Sequence, residues 1–322
     1  MPVLRAISRR ISGMRILAAL VALAMLLSVP SAYAQDLDDV GTVKAIALRY
    51  IEGWYAGNAT QVRDVLHAEL VKRIAKTDPE TGKSYLITQS LSDFINLTAA
   101  HKEKPGAKQQ KDITVLDVYK NAAMARVSAT AWFDYMQLAK WDGKWMIFNL
   151  LWERKDGGVP GAEPLQSTHN PDDDTAVQAA AREYIEAWYA GDSQRIEKVL
   201  HPDLVRRTLR IDPQTGTTYL MFDGSRDFIN LTGEHKGKPG AKQQEDIAVL
   251  DVYRNAAMVK ITAASWVDYL QMARWNGKWV IVDLLWEPKD GGMVSTTLEG
   301  LPERPLPPAL KDLWRFAGTV SQ

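Results

Sequence analysis

The chain has 322 residues, 46% of them apolar and 24% charged, with 39 basic residues against 39 acidic ones. That length suggests about two domains, and the apolar fraction is ample for a packed core in each. A balanced charge argues against nucleic acid or an anionic membrane as the main partner. The absence of cysteine excludes disulfides, a thiol nucleophile and a thiolate metal site.

The first 34 residues read as a secretory signal peptide. Arg5, Arg9, Arg10 and Arg15 form a basic start, Ile16 to Val29 is an apolar run, and Ala32-Tyr33-Ala34 offers a small-residue cleavage site before Gln35. An apolar run of about 14 residues falls short of the roughly 20 that span a bilayer. The expectation is a periplasmic or secreted protein cleaved after Ala34, with no membrane attachment afterwards. Losing four arginines leaves 35 basic residues against 39 acidic ones, a net charge of about −4.

The remainder is one unit written twice. An offset of 134 carries residues 38–158 onto residues 172–292 without a gap, with about 70 of 121 positions identical. A repeat of this length is a domain with its own core. In each copy, apolar residues at helical spacing (Val43, Ala47, Tyr50, Ile51, Trp54) precede Gly57, a helix stop. Asn58, or Asp192, then caps a second helix expected to run through Leu66. Short strands are expected at Val71–Lys76 and Tyr85–Thr88, around the turn sequence Asp78–Gly82, and a third helix through Phe94, Ile95 and Leu97. After a Lys-rich loop (Lys102, Lys104, Lys108; Lys236, Lys238, Lys242), strands are expected at Asp112–Tyr119, Ala123–Ala139 and Lys144–Trp152. The last two meet at Asp142-Gly143, copied as Asn276-Gly277, a strong hairpin signal. The fold class is α+β: two tandem cone-like domains, each with three N-terminal helices packed on a curved antiparallel sheet. Residues 159–171 read as a linker. Residues 293–322 form a Pro-rich tail whose Leu310, Leu313, Trp314 and Ala317 share a helical face, either docked on its own domain or offered to a partner.

Three sequence words carry a resemblance: YIEGWYAGN with VLHAELV, DFINLT, and DYMQLAKWDGKWMI, repeated as YIEAWYAGD with VLHPDLV, DFINLT and DYLQMARWNGKWVI. With them the chain resembles the putative lumazine-binding family of the nuclear transport factor 2-like (SnoaL/ketosteroid-isomerase-like) superfamily, in two tandem copies. The resemblance implies a sheet wrapped around a long helix, with a pocket at the open end. It also implies pairing of domains through their sheets, here within one chain that is otherwise monomeric. Members of the superfamily include isomerases, dehydratases and cyclases as well as non-enzymatic modules, so the fold leaves activity open. Where family members often carry a Lys in the last strand, this chain has Leu151 and Leu285.

The candidate residues divide by chemistry. Tyr50, Trp54, Trp132 and Trp152, with Tyr184, Trp188, Trp266 and Trp286, could line an apolar pocket that stacks a flat ligand, or form core. Asp134 and Asp268 are acids in otherwise apolar strands, where burial raises a carboxyl pKa toward that of a general base. Tyr135, Tyr269, His67 and His201 could assist; the histidines also suit the end of the second helix, where imidazole complements the dipole. His101 and His235, at the start of the Lys-rich loops, are expected in solvent, and Trp141, Trp145, Trp275 and Trp279 in packing and pairing. Alternate strand residues divide into Ser128, Thr130, Trp132, Asp134 and Met136 against Val127, Ala129, Ala131, Phe133 and Tyr135, and one set lines the concave face. With five histidines at no ligand spacing, neither a metal nor a cofactor is expected. The leading expectation is an exported binding protein for a small, partly aromatic molecule. A cofactor-free isomerase, dehydratase or cyclase is the alternative, and an interaction module with self-filled pockets a third.

Overall fold

The computed structural model describes residues 31–101, 108–156, 171–212, 215–235, 243 and 245–290, with side chains from residue 38 onward. Residues 1–30 of the expected signal peptide, residues 157–170 of the expected linker region, the Lys-rich loop residues 102–107 and 236–242, and the tail beyond residue 290 lie outside the described residues.

Each copy of the repeat forms a six-stranded sheet with helices on one face. In the first domain, α1 (Ser31–Tyr55) and α2 (Ala59–Arg63) precede β1 (Leu66–Thr77) and β2 (Ser84–Ser90). Then come α3 (Leu91–Ala100), β3 (Lys111–Tyr119), β4 (Ala122–Ala129), β5 (Trp132–Trp141) and β6 (Lys144–Arg154). The second domain repeats this as α4 (Pro171–Ala190), α5 (Ser193–Glu197), β7 (Leu200–Ile211), β8 (Thr218–Gly224), α6 (Ser225–Glu234), β9 (Glu245–Tyr253), β10 (Ala256–Ala263), β11 (Trp266–Trp275) and β12 (Lys278–Pro288). The sheet orders are β2-β1-β6-β5-β4-β3 and β8-β7-β12-β11-β10-β9.

Four sequence expectations change. The helices are not all N-terminal, because α3 and α6 follow the second strand of their domain. The sheets are not wholly antiparallel: β1 pairs β6, and β7 pairs β12, in parallel. That non-local pairing also shortens the second helix. Ile147 N donates to Val65 O at 2.9 Å and Leu66 pairs with Ile147, so Leu66 and His67 join the sheet. The long strand expected from Ala123 to Ala139 is a hairpin turning at Thr130 and Ala131. The turn flips the parity of the strands. Ala123, Ala125, Val127 and Ala129 face the helix side with Trp132, Met136 and Leu138, whereas Met124 shares the opposite side with Phe133 and Tyr135.

On the helix side, Val43, Ala47, Tyr50 and Ile51 of α1 bury against β3, β4 and β6. Gly57 ends this helix at φ +62°, and a Cβ there would stand 2.6 Å from His101 O at the end of α3. Only glycine combines that backbone with that approach. Ser90 caps α3 in a capping box with Asp93, a device absent from α6, where Gly224 makes no side-chain cap.

The other faces of the two sheets pack on each other. Tyr135, Phe148, Met124 and Leu151 share one apolar cluster with Tyr269, Val282, Met258 and Leu285, and the domains form an intramolecular pseudo-dimer. Its polar contacts recur about the pseudo-twofold. Gln137 Nε2 donates to Tyr269 O at 2.8 Å, and Gln271 Nε2 to Tyr135 O at 3.0 Å. Tyr135 OH donates to Asp251 at 2.7 Å and Tyr269 OH to Asp117. The β5–β6 and β11–β12 turns each dock on the opposite domain: Asp142 and Thr218 exchange hydrogen bonds, as do Asn276 and Ser84. Asp142 (φ 47°) and Gly143 (φ 76°) both take the left-handed region that a tight two-residue hairpin needs. Trp141 and Trp275 pack against the interface, while Trp145 and Trp279 pack on the helix side.

One pair of contacts breaks the symmetry. Arg73 Nη1 donates to Asp283 Oδ1 at 2.7 Å and Val282 O at 2.5 Å, and Nη2 to Asp203 O at 2.8 Å. Its counterpart Arg207 meets Asn149 instead, and Glu69 O at 2.9 Å. Both members of the Arg73–Asp283 pair are buried. Removing one partner of such a pair leaves an uncompensated charge, whereas removing both does not. Arg73→Met should therefore cost about 3–5 kcal/mol in urea unfolding, and adding Asp283→Leu should return part of that loss. A double variant no more stable than the single one would show that the carbonyl contacts of Arg73, not the ion pair, hold this point of the interface.

Candidate functional site

The helix-side end of the first domain holds a cleft of about 160 Å³, open to solvent on one side. Its lining converges from six elements. Tyr50 and Trp54 stand one turn apart on α1, Lys72 comes from β1, Gln89 from β2, Phe94 and Leu97 from α3, and Trp132 and Trp152 from β5 and β6. Residues four apart on a helix share a face, which brings Tyr50 and Trp54 together. The bend at Thr130 and Ala131 turns Trp132 inward. Trp54 lies parallel to Phe94, with ring centroids 5.3 Å apart, and Trp132 meets it edge-on at 6.1 Å. Trp54 also stacks on His101 at 4.4 Å, as Trp188 does on His235 at 4.3 Å. These two histidines, expected in solvent, are ring partners.

Beneath the lining sits a polar knot. Asp134 is fully buried; its Oδ1 accepts from Lys72 Nζ at 2.5 Å, and its Oδ2 from Trp132 Nε1 at 2.6 Å and Tyr50 OH at 3.3 Å. Lys72 Nζ also donates to Tyr50 OH at 3.1 Å and stands 4.9 Å from the centre of the Phe94 ring. An ammonium has three protons; Tyr50 and Asp134 take two, and among the described residues none takes the third. Burial pulls Lys72 below the usual lysine range, while Asp134 pulls the other way. Trp54 adds a second unused donor: its buried Nε1 has no acceptor among the described residues. Among the described residues, the cleft thus combines aromatic walls with two N–H groups that lack partners.

The remaining candidates lie elsewhere. Tyr135 and Tyr269 bond acids of the opposite domain, so they belong to the interface rather than to the cleft. His67 and His201 do not close helices; each is the second residue of a strand. His67 stacks on Phe148 at 4.1 Å, and burial, then the charge of Arg207, lowers its pKa to about 4. His201 meets Trp275 edge-on at 4.3 Å, and burial lowers it too. Asp134 is brought to the aromatic residues but lies behind them.

In the second domain the same positions are Tyr184, Trp188, Arg206, Asp223, Phe228, Leu231, Trp266 and Trp286. Asp268 accepts from Trp266 Nε1 at 2.7 Å and Tyr184 OH at 3.2 Å. Arg206 does not reach it; its Nη1 bonds Asp223 at 2.8 Å. Burial, only partly offset by Trp266, Arg206 and Tyr184, pushes the Asp268 carboxyl up to about 6. Sequence reasoning missed Lys72 and Gln89, whose signal was a polar pair at matched positions of neighbouring strands (Lys72 opposite Gln89). Among the described residues, no cluster of His, Cys, Asp or Glu could hold a metal, and no helix is long and apolar enough to cross a membrane.

Fold and cleft together define a tandem two-domain α+β protein with an aromatic cleft in its first domain. The chain belongs to the family described as "Putative lumazine-binding", whose model matches residues 38–153 and again 172–287. No curated protein matches the chain. Among solved structures it is similar to a nuclear transport factor 2-like protein of unknown function from Shewanella baltica. Identity there is 15%, over 38% of this chain and 97% of that one, with a TM-score of 0.31. A ketosteroid isomerase-like protein from Erwinia carotovora atroseptica shows 14% identity over 37% and 98%, with a TM-score of 0.29. A nuclear transport factor 2-like protein of unknown function from Silicibacter pomeroyi shows 17% over 37% and 97%, at 0.30.

The Asp268 environment sets a pH dependence. An acid whose pKa rises from 3.8 to about 6 on folding is bound to its proton more in the native state between those values. Its stabilising contribution is complete below the unfolded pKa and is lost as pH rises through about 6. Relative to wild type, Asp268→Asn should therefore gain stability from pH 4 to pH 7, by up to about 3 kcal/mol, in parallel chemical unfolding curves. A difference independent of pH would mean that Asp268 titrates alike in both states.

Proposed function

We propose that the protein is an exported binding protein whose first domain takes a small aromatic molecule, without converting it. The observation that carries this reading is the convergence of Trp54, Phe94, Trp132 and Trp152 on one open cleft with Lys72 in its lining. The size points to the ligand. An apolar cavity of about 150 Å³ holds a benzene ring, so this cleft suits one or two fused rings with the remainder in solvent. Lys72 can donate, so the ring should carry an acceptor such as a carbonyl or carboxylate on its buried edge. The Lys72–Asp134 pair is neutral as a whole, and a carbonyl serves as well as an anion.

Binding without turnover is supported by the state of Asp134. Its two oxygens already accept three hydrogen bonds, one from an ammonium, and it lies behind the lining, out of reach of a substrate proton. A base needs direct or one-water access to that proton. Export rests on the leader sequence, and one internally paired chain per particle rests on the pseudo-dimer.

Calorimetry and tryptophan fluorescence with a panel of one- and two-ring aromatic carbonyls and carboxylates test this reading. Binding should quench fluorescence, and Trp152→Ala or Lys72→Met should each weaken it by about tenfold or more, which is ~1.4 kcal/mol. If no member of the panel binds the wild-type protein, or if a bound member is turned over, the reading fails. N-terminal sequencing of the exported protein should begin at Gln35; an intact N-terminus would remove the export proposal.

A further inference from the structure

The two copies have diverged at the two polar positions of the cleft, and the divergence is correlated. Lys72 stands opposite Gln89 in the β1–β2 ladder, and Arg206 stands opposite Asp223 in the β7–β8 ladder. Directly opposed side chains on neighbouring strands are close enough to pair, and an arginine offers a carboxylate a planar fork where lysine offers a point charge. Arg206 accordingly turns away from the buried Asp268 and toward the rim, where it bonds Asp223 at 2.8 Å. On the way its guanidinium lies 4.5 Å from the Phe228 ring centre and 5.0 Å from that of Trp286. Those rings correspond to Phe94 and Trp152, walls of the first cleft. Arg210 covers Trp286 as well, at 4.8 Å. Lys72 also lies over the matching rings of the first cleft, at 4.9 and 5.5 Å, yet Trp188 and Trp286 are buried, at 8% and 9% exposure, whereas Trp54 and Trp152 are half-buried.

We infer that the chain carries one working cleft and one that its own side chains have closed, with Arg206 and Asp223 as the closing pair. The inference rests on the binding reading above for what the open cleft does, but the closure itself is independent of any ligand. It makes the first domain the binding domain and the second its sheet partner, with one ligand per chain. Replacing the pair by its counterparts, Arg206→Lys with Asp223→Gln, should open a second cleft for the same class of small aromatic acceptor. The reverse exchange, Lys72→Arg with Gln89→Asp, should close the first.

Two measurements on the full mature chain test this. Hydroxyl-radical footprinting read by mass spectrometry needs no ligand. In the wild type, Trp152 should be oxidised several-fold faster than Trp286, and in the Arg206→Lys/Asp223→Gln variant the two rates should converge. Equal rates in the wild type would overturn the inference, and so would a folded variant in which Trp286 stays protected. Equilibrium dialysis with 2-naphthoate should give one equivalent bound to the wild type, two to that variant, and none to the Lys72→Arg/Gln89→Asp variant. Two equivalents on the wild type would overturn the closure while leaving the binding reading intact. No binding to the wild type with unequal footprints would support the closure while removing 2-naphthoate as a ligand of the cleft.

Discussion

Much in this molecule depends on the central strands of each sheet being buried on both faces. One face covers a helix, the other covers the second sheet, so polar groups on either side have no water to fall back on and must be paired. The reciprocal bonds of Gln137 and Gln271 to the facing backbone are that constraint met at the interface. The bonds of Asp134 and Asp268 to tyrosine and tryptophan are the same constraint met on the helix side. A strand residue's parity therefore decides its role. Asp134 serves the cleft's floor and its neighbour Tyr135 serves the domain contact, although the two are adjacent in the chain.

Because the central strands of each sheet are buried on both faces, the cleft is confined to the open end, where α1, α3 and the turning strands leave space. Aromatic rings wall that space because large flat side chains can bridge from helix to sheet without filling it. Lysine at position 72 can join the wall because its long stem packs along the rings while its ammonium reaches a buried acid. Among the described residues the cleft is lined from helices and strands, so packing holds its rings in place.

Much of the fold was legible in the sequence. The duplication and the hairpin turns at Gly143 and Gly277 follow from repetition and turn chemistry, while the pairing of sheets was implied by the family resemblance. Tyr50, Trp54, Trp132 and Trp152 were legible as a possible set because aromatics at these periods fall on one side of an element. Other features depend on contacts between distant segments. The parallel pairing of β1 with β6 is invisible to local pattern, and it moved His67 from a helix end into a strand. The turn at Thr130 and Ala131 has no glycine or proline to announce it, so the parity flip there was hidden. Nothing in the local pattern singles out Lys72, within one expected strand, or Gln89, just past the next. Only the cross-strand register shows that they and the pair Arg206 and Asp223 are matched alternatives.

The meeting of Arg73 with Asp283 on one side, and Arg207 with Asn149 on the other, has a consequence for how such a protein can change. In a dimer of identical chains every substitution is made twice, on both sides of the axis, so a change tolerated in one setting must also be tolerated in its mirror. Joining the halves in one chain removes that coupling. A residue can then alter one half's surface, charge or cavity while its twin keeps the older arrangement and maintains the contact. The tandem arrangement frees the two halves to specialise, and asymmetry at the axis is the mark that they have begun to do so.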